Sequence, residues 1–108
     1  MKMIKAIVRP EKVADVLGGL IKEGINAATR MSILGRGKQQ GLKVADVYYD
    51  EIPKEMIMIV VEDSDEDKVV KIITEAAKTG KKGAFGDGKI FITEVGRSVT
   101  ISSGKEEL

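Results

Sequence analysis

The run of six apolar residues at 56–61, MIMIVV, limits what this chain can fold into more than any other feature. A strand with one face in water alternates apolar and polar residues, whereas an unbroken run is typical of a strand buried on both faces. We therefore predict a strand here that is buried on both faces. Both faces of its sheet need a covering layer.

The patterns around this run predict two helices, three further strands and a short fifth strand. Alternating segments predict the strands, and apolar residues at a period of 3.6 predict the helices. Pro10 suits the first turn of a helix, and Gly24 is a typical helix-ending residue. The predicted elements are a strand over 2–9, a helix ended by Gly24, strands over 27–35 and 55–62, a helix capped by Asp63 or Ser64 and ended by Gly80, a strand over 89–95, and a short fifth strand near 98–102.

The resulting β-α-β-β-α-β order predicts a single ferredoxin-like α+β domain over 1–108, with an antiparallel sheet. Right-handed crossovers place both helices on one face of that sheet. The apolar run at 56–61 then leaves a second apolar face that the two helices do not cover. We expect other copies of the chain to cover this face, in an obligate oligomer.

The connection between the second and third strands, here named the long loop, is predicted over 36–54. Connections longer than about 12–15 residues are uncommon in compact domains and are usually functional. This one is basic at its start and acidic further on, and it carries the adjacent Tyr48 and Tyr49. We interpret it as a projecting recognition loop.

Two segments rich in glycine and lysine lie at predicted strand ends, and they suggest a nucleotide or anion site. One is GRGKQQG at 35–41, and the other is TGKKGAFGDGKIF at 79–91. Glycine lets a backbone approach a ligand closely, and lysine supplies a point charge for a phosphate. Ordinary turns are the alternative for the first segment and for Asp87, and Lys81 and Lys82 are favoured at a helix C-terminus in any case.

Composition excludes several kinds of chemistry. The chain has no Cys and no His, which removes disulfides, thiolate metal sites and the commonest general base. A binding protein is therefore favoured over an enzyme. The net charge of +1 gives no overall attraction to nucleic acid or to a membrane. No apolar run reaches 18 residues and no signal-peptide layout opens the chain, so we expect a cytoplasmic protein without membrane insertion.

The combination of these segments resembles the PII nitrogen-regulatory signal-transduction family. The resemblance covers nearly the whole chain: the opening MKMIKAIVRPEKVADV, the GRGKQQG segment, Pro53 and Lys54 at the return of the long loop, and GDGKIF. It implies a trimer of ferredoxin-like subunits that binds ATP or ADP in clefts between subunits. It also implies 2-oxoglutarate and Mg²⁺ beside the ATP phosphates, and a long T-loop that docks on a target protein.

The resemblance also implies roles for individual residues. Gln39 would contact both 2-oxoglutarate and Mg²⁺, and Lys54 would pair with a 2-oxoglutarate carboxylate. The residues implied in nucleotide binding are Ile7, Thr29, Gly35, Gly37, Lys38, Val60, Gly86, Asp87, Gly88 and Lys89.

The chain departs from the family pattern at three places. The long loop is shorter than is usual in the family and lacks its YRGAEY-like segment, which carries the modified tyrosine. The resemblance therefore does not support uridylylation of this chain. The 79–88 segment, here named the glycine loop, is lengthened by the residues KGAF at 82–85. Two arginines usual near the C-terminus are replaced by Thr100 and Ser102, so Lys81, Lys82 or Arg97 would have to supply the missing charge.

The long loop is shorter than is usual in the family. In this respect the chain looks closest to the nitrogenase-linked branch, which is found in methanogens and other anaerobes. Members of that branch pair with a second PII-like chain and inhibit nitrogenase until 2-oxoglutarate and ATP release it. A regulator of an ammonium transporter or of glutamine synthetase is the alternative. An RNA-recognition domain has the same element order, but it needs exposed aromatic residues on its central strands, and only Phe91 lies on a predicted strand.

Overall fold

The computed structural model describes residues 1–36, 42–44, 47–49 and 51–108 of the chain. Its strands and helices, in chain order, are β1 (Lys2–Val8), α1 (Val13–Lys22), β2 (Thr29–Gly35), β3 (Leu42–Val44), β4 (Val47–Tyr49), β5 (Ile52–Val61), α2 (Glu66–Ala77) and β6 (Gly88–Glu94). Short 3₁₀ turns at Pro10–Lys12 and Asp63–Asp65 lead into the two helices. The two strands β3 and β4 pair with each other inside the long loop.

The main sheet confirms the predicted ferredoxin-like fold. Its strand order is β2-β5-β1-β6, and each neighbouring pair is antiparallel. The strand that carries the apolar run, β5, lies in the centre of the sheet between β1 and β2. The strand order follows because each helical crossover skips one strand position, so that the later strand fills the gap.

The hydrophobic core lies between the two helices and one face of the sheet. The face is built by alternate residues of β1 and β5, because successive side chains of a strand point to opposite sides. The core residues are Ile4, Ala6, Val8, Ile57, Ile59 and Val61 of the sheet and Val13, Val16, Leu20, Val69, Ile73 and Ala77 of the helices. Ile4, Ala6 and Val8 thus form the inward face of β1, and Met3 and Ile7 lie on the other face.

The opposite face of the sheet, here named the open face, carries the other set of alternate residues. Its apolar members are Met3, Ile7, Met31, Ile33, Met56, Met58, Val60 and Phe91. Met31 and Phe91 are 40% and 50% exposed, and Lys5 is an exposed charged residue on the same face. Both helices pack on the other side, so the structure agrees with the predicted second apolar face.

The strand boundaries differ from the prediction by one to three residues at six of eight ends, and the largest differences are at the starts of β2 and β5. β2 begins at Thr29 rather than at 27, and β5 begins at Ile52 rather than at 55. The first residues of β5 pair with β2 alone, since β1 ends where Val8 meets Glu55, and Pro53 is tolerated at such a one-sided position. The predicted fifth strand near 98–102 is wrong: a single bridge joins Val99 to Glu106 around a turn.

The helix ends show one confirmed prediction and two corrections. Gly24, at φ 80°, ends α1 in a Schellman arrangement, in which Gly24 N–H donates to Ile21 and Ile25 N–H donates to Leu20. α2 ends at Ala77, and Gly80 lies in the following turn. The predicted cap of α2 is wrong: its N-cap residue is Asp65, without a side-chain cap bond, rather than Asp63 or Ser64, and the Asp63 carboxylate accepts a bond from the N-terminal ammonium of Met1 at 3.0 Å.

Candidate functional site

The glycine loop returns to the sheet at Gly88, where only a glycine fits. Gly88 has φ 116°, and a β-carbon there would lie 1.8 Å from the carbonyl oxygen of Ile7. L-residues with side chains rarely adopt such a φ, so both the backbone angle and the space require glycine. The end of the loop therefore lies directly against the last residues of β1, where Gly88 pairs with Val8.

The carboxylate of Asp87 organises the rest of the loop. One oxygen accepts bonds from the Thr79 hydroxyl at 2.6 Å and from Arg9 Nε at 3.2 Å. The other accepts bonds from the backbone N–H groups of Thr79 at 3.1 Å and Ala84 at 2.8 Å. The start of the glycine loop, at Thr79, and its middle, at Ala84, are thus tied to one side chain.

These bonds hold the pKa of Asp87 well below its ordinary value. The Thr79 hydroxyl makes the largest contribution; burial opposes the shift, and the two backbone N–H groups and Arg9 add to it. Hydrogen bonds to a carboxylate favour its charged form. Asp87 therefore stays ionised and shapes the loop, as the turn alternative expects, while its predicted contact with a nucleotide stays a prediction.

Arg9 and Lys54 attach the glycine loop to the sheet. Arg9 Nη2 donates to the Phe85 carbonyl at 2.7 Å, and Lys54 Nζ donates to the Gly86 carbonyl. Partial burial and the neighbouring Arg9 charge lower the pKa of Lys54. The residue predicted to bind 2-oxoglutarate therefore contacts the loop predicted to bind nucleotide.

Sequence reasoning did not single out Arg9. Its position directly after β1 and before Pro10 has no motif of its own, and a lone arginine at a strand end is usually solvated. Its role depends on the pairing of β1 with β6. This pairing brings Arg9 next to Phe85 and Asp87, which lie 76 and 78 positions later in the chain. Only the tertiary structure provides that signal.

A cavity of about 730 Å³ lies between the C-terminal end of α2 and the glycine loop. Its volume falls in the range typical of small-molecule sites. Four residues of the predicted nucleotide site line it, namely Ile7, Asp87, Gly88 and Lys89. The other lining residues are Val8, Ile73, Thr74, Ala77, Lys78, Lys82, Gly83, Ala84, Phe85 and Ile90.

The remaining predicted residues lie elsewhere. Thr29 and Val60 lie on the open face, and Val60 is four residues along β5 from Met56, the partner of Ile7, a separation of roughly 13 Å. Gly35 is the last residue of β2, beside the Lys54 side chain. Gly37, Lys38 and Gln39 lie outside the described residues. Within one chain, the predicted nucleotide-binding residues that the structure describes thus form two separate groups. One lies at the glycine loop, and the other consists of Thr29 and Val60.

The structure also separates Lys81, Lys82 and Arg97, the three residues that would supply the charge of the two missing arginines. Lys82 lines the cavity, whereas Lys81 does not. Arg97 is paired with Glu106 and lies after the end of β6 that is remote from the glycine loop. Within one chain, Lys82 is thus the candidate that lies at the same cavity as Asp87 and Gly88.

The fold places the chain among ferredoxin-like α+β proteins, and comparison with known proteins identifies the family. The family model described as "Nitrogen regulatory protein P-II" matches residues 1–105, so the chain belongs to this family, as predicted. It is 50% identical to "Nitrogen fixation nifHD region GlnB-like protein 1" of Methanothermococcus thermolithotrophicus, over 97% of each chain. It is 49% identical to "Nitrogen fixation nifHD2 region GlnB-like protein 1" of Methanosarcina barkeri, over 100% of both.

A second kind of relative is less similar. The chain is 42% identical to "Nitrogen regulatory protein P-II 2" of Methanothermobacter thermautotrophicus, over 97% of this chain and 92% of that one. The relatives named for nifHD regions match the predicted nitrogenase-linked branch. In the described part of the chain, neither helix has the length and apolar character needed to cross a bilayer.

Proposed function

We propose that this chain is a nitrogen-status signalling subunit that binds ATP or ADP together with 2-oxoglutarate and regulates a target protein through its long loop. The observation that carries the proposal is the bond from Lys54 Nζ to the Gly86 carbonyl. This bond joins the first residues of β5, at the return of the long loop, to the glycine loop.

This bond offers a physical route from ligand to loop. An ammonium group has three N–H donors, so a 2-oxoglutarate carboxylate that pairs with Lys54 would share the group with the Gly86 carbonyl and be linked through it to the glycine loop. Occupancy of the site then changes both the start of β5 and the glycine loop. A ligand shifts such an equilibrium only by its differential affinity for the two arrangements, so nucleotide and 2-oxoglutarate are expected to affect each other's binding.

The division of the nucleotide residues into two groups supports a site shared between subunits. Thr29 and Val60 of one copy would face Ile7, Gly88 and Lys89 of the next, in a trimer or in an assembly with a second PII-like chain. The apolar open face supplies the surface for this assembly. Mg²⁺ would be held by Gln39 together with phosphate and 2-oxoglutarate oxygens, since oxygen ligands are those it prefers.

The relatives point to the target class. Those with about half of their residues identical are named for nifHD regions, and we therefore propose nitrogenase as the target. An ammonium transporter or glutamine synthetase is the alternative. Co-precipitation of the full chain with purified nitrogenase components, with and without ATP and 2-oxoglutarate, is expected to show ligand-sensitive binding. Binding to the alternative targets alone would contradict the nitrogenase assignment.

Calorimetry of the full chain tests the ligand assignment. We expect 2-oxoglutarate to bind only when ATP and Mg²⁺ are present. Gln39→Ala and Lys54→Ala are expected to weaken 2-oxoglutarate binding more than ATP binding, by about tenfold or more, because each removes a bond to a charged group. Lys22→Ala, at the exposed end of α1, is the control. Equal 2-oxoglutarate binding by wild type and both variants would contradict the assignment.

A further inference from the structure

One buried charged side chain lies on the core side of the sheet. Glu55 is 7% exposed and is the single buried charged residue in the part of the chain that the structure describes. It alternates along β5 with the core residues Ile57 and Ile59, so an apolar side chain is the ordinary choice at this position. A buried carboxylate is costly unless it is paired and hydrogen-bonded. Packing alone therefore does not explain why Glu55 lies here.

Both partners of the Glu55 carboxylate come from the edge strand β2. The Ser32 hydroxyl donates to one carboxylate oxygen at 2.9 Å, and Arg30 Nε donates to the other at 3.4 Å. The bond from Ser32, followed by that from Arg30, lowers the pKa of Glu55, so the carboxylate stays ionised. These three residues, here named the Glu55 cluster, join β2 to β5 by side chains in addition to the backbone pairing.

The Glu55 cluster lies where the four-stranded sheet narrows to two strands. Glu55 pairs with Val8, the last residue of β1. Beyond this pair, residues 52–54 of β5 pair with residues 33–35 of β2 alone, as a two-stranded ribbon that leads into the long loop. A two-stranded ribbon is only marginally stable in water by itself. The bonds at its base therefore determine whether its two strands move together.

The residue next to the cluster makes the contact on which the proposed function rests. Lys54 precedes Glu55 in β5, and successive side chains of a strand point to opposite faces of the sheet. Lys54 thus bonds the Gly86 carbonyl on one face, while Glu55 bonds β2 on the other. A shift of the β5 backbone at Lys54 therefore reaches β2 through the Glu55 cluster.

We propose that the Glu55 cluster positions the long loop: it holds β2 to β5 at the base of the ribbon, so that both strands respond together when a ligand engages Lys54. Glu55, Ser32 and Arg30 are positioning residues, because they act through Lys54 and the two strands rather than by contact with a ligand. This inference rests on the proposed function and adds to it the residues that connect the ligand site to the long loop.

The two tyrosines of the chain give the long loop an optical signal of its own. Tyr48 and Tyr49 are the only tyrosines in the sequence, which has no tryptophan, and both belong to β4 of the long loop. Tyrosine fluorescence of the full chain, titrated with 2-oxoglutarate at saturating Mg·ATP and corrected for nucleotide absorbance, therefore reports on that loop. Calorimetry of the same samples measures the affinity independently.

Glu55→Gln keeps the size of the side chain and removes its charge. We expect its 2-oxoglutarate affinity to stay within about threefold of wild type, while the ligand-dependent fluorescence change falls by about half or more, because binding no longer drives the loop. Ser32→Ala is expected to separate affinity from response in the same way, and Ser32→Thr, which keeps the hydroxyl, is expected to retain the response. Glu62→Gln, at an exposed position directly after β5, is the control and should keep both.

Hydrogen exchange tests whether the effect is confined to the ribbon. Without ligand, the amides of 33–35 and 52–54 are expected to exchange about threefold to thirtyfold faster in Glu55→Gln than in wild type, whereas those of β1 and β6 stay within about twofold. Faster exchange throughout the chain would show that Glu55 stabilises the whole fold, and it would overturn the positioning role.

The outcomes distinguish this inference from the proposed function. If wild type binds ATP and 2-oxoglutarate with a fluorescence response that Glu55→Gln and Ser32→Ala retain in full, the cluster inference is wrong and the proposed function stands. Parallel loss of affinity and response in both variants would also overturn the inference, since the cluster would then form part of the ligand site itself. If wild type binds neither ligand, both are wrong.

Discussion

At the scale of single residues, Gly88 determines whether the glycine loop can reach the sheet. We expect Gly88→Ala to lower the free energy of unfolding by about 3–5 kcal/mol, because its β-carbon would lie 1.8 Å from the Ile7 carbonyl oxygen at a φ of 116°. Gly96→Ala, whose added β-carbon meets nothing within 4 Å, is the control and is expected to change stability by less than about 0.5 kcal/mol. Urea denaturation measures both, and similar values for the two variants would contradict this requirement.

Asp87 predicts a pH dependence of stability. Its pKa is depressed in the folded state, so its contribution is fully present above the unfolded value of about 3.9 and is lost as the pH falls toward the folded pKa. We expect Asp87→Asn to cost about 2 kcal/mol at pH 7 and less as the pH falls below about 4. Urea denaturation between pH 7 and pH 3 measures the difference between wild type and variant.

Thr79→Val is the companion to this variant. It removes the hydroxyl that makes the largest contribution to the depressed pKa of Asp87, so the folded-state pKa of Asp87 rises. The stability that the Asp87 charge contributes should then be lost at higher pH than in wild type. A difference between wild type and Asp87→Asn that stays constant from pH 7 to pH 3 would show that the charge of Asp87 does not stabilise the loop.

At the scale of elements, two adjacent glycines show where α1 approaches α2. A β-carbon at Gly18 meets nothing within 4 Å, whereas one at Gly19 would lie 3.0 Å from Ile72 Cγ2 of α2. We expect Gly18→Ala to stabilise the protein by about 0.5–1 kcal/mol, since alanine is the better helix former. Gly19→Ala has the same intrinsic gain, but overpacking against a stiff β-branched side chain is expected to cancel or exceed it.

Thermal and urea unfolding of the two single variants measure this difference, and wild type is the common reference. Equal gains for Gly18→Ala and Gly19→Ala would show that the two helices are not in close contact at Gly19.

At the scale of the whole molecule, the open face predicts an oligomer. Static light scattering at micromolar concentration is expected to give three times the 11.7 kDa chain mass, because burial of apolar area contributes about 25 cal/mol per Å². Met58→Asp, in the centre of this face, is expected to dissociate the trimer, since an unpaired buried charge costs several kcal/mol. Ala14→Asp adds the same charge at an exposed position of α1 and should leave the mass unchanged. A wild-type monomer would contradict the prediction.

The order of the elements and the two faces of β1 were predictable from the sequence because they depend on local periodicity. The unbroken run in β5 likewise indicated a second apolar face, since residues that alternate along a strand must point to opposite sides. Family resemblance and the glycine motif predicted the region of the proposed nucleotide site, where the structure shows a cavity. The strand near 98–102 and the cap of α2 were wrong because short polar segments have several local partners of similar energy, and the N-terminal ammonium took the Asp63 carboxylate.

The sequence by itself therefore determined the fold, the family and the position of the glycine loop, all of which follow from patterns between neighbouring residues. Only the tertiary structure decided which charges act together. Arg9, Lys54 and Asp87 meet because β1 pairs with both β5 and β6, and Lys82 rather than Lys81 lines the cavity because Asp87 fixes the course of the loop between Thr79 and Ala84. Pairings between residues 30 to 80 positions apart leave no local signal, since they depend on the register of the whole sheet.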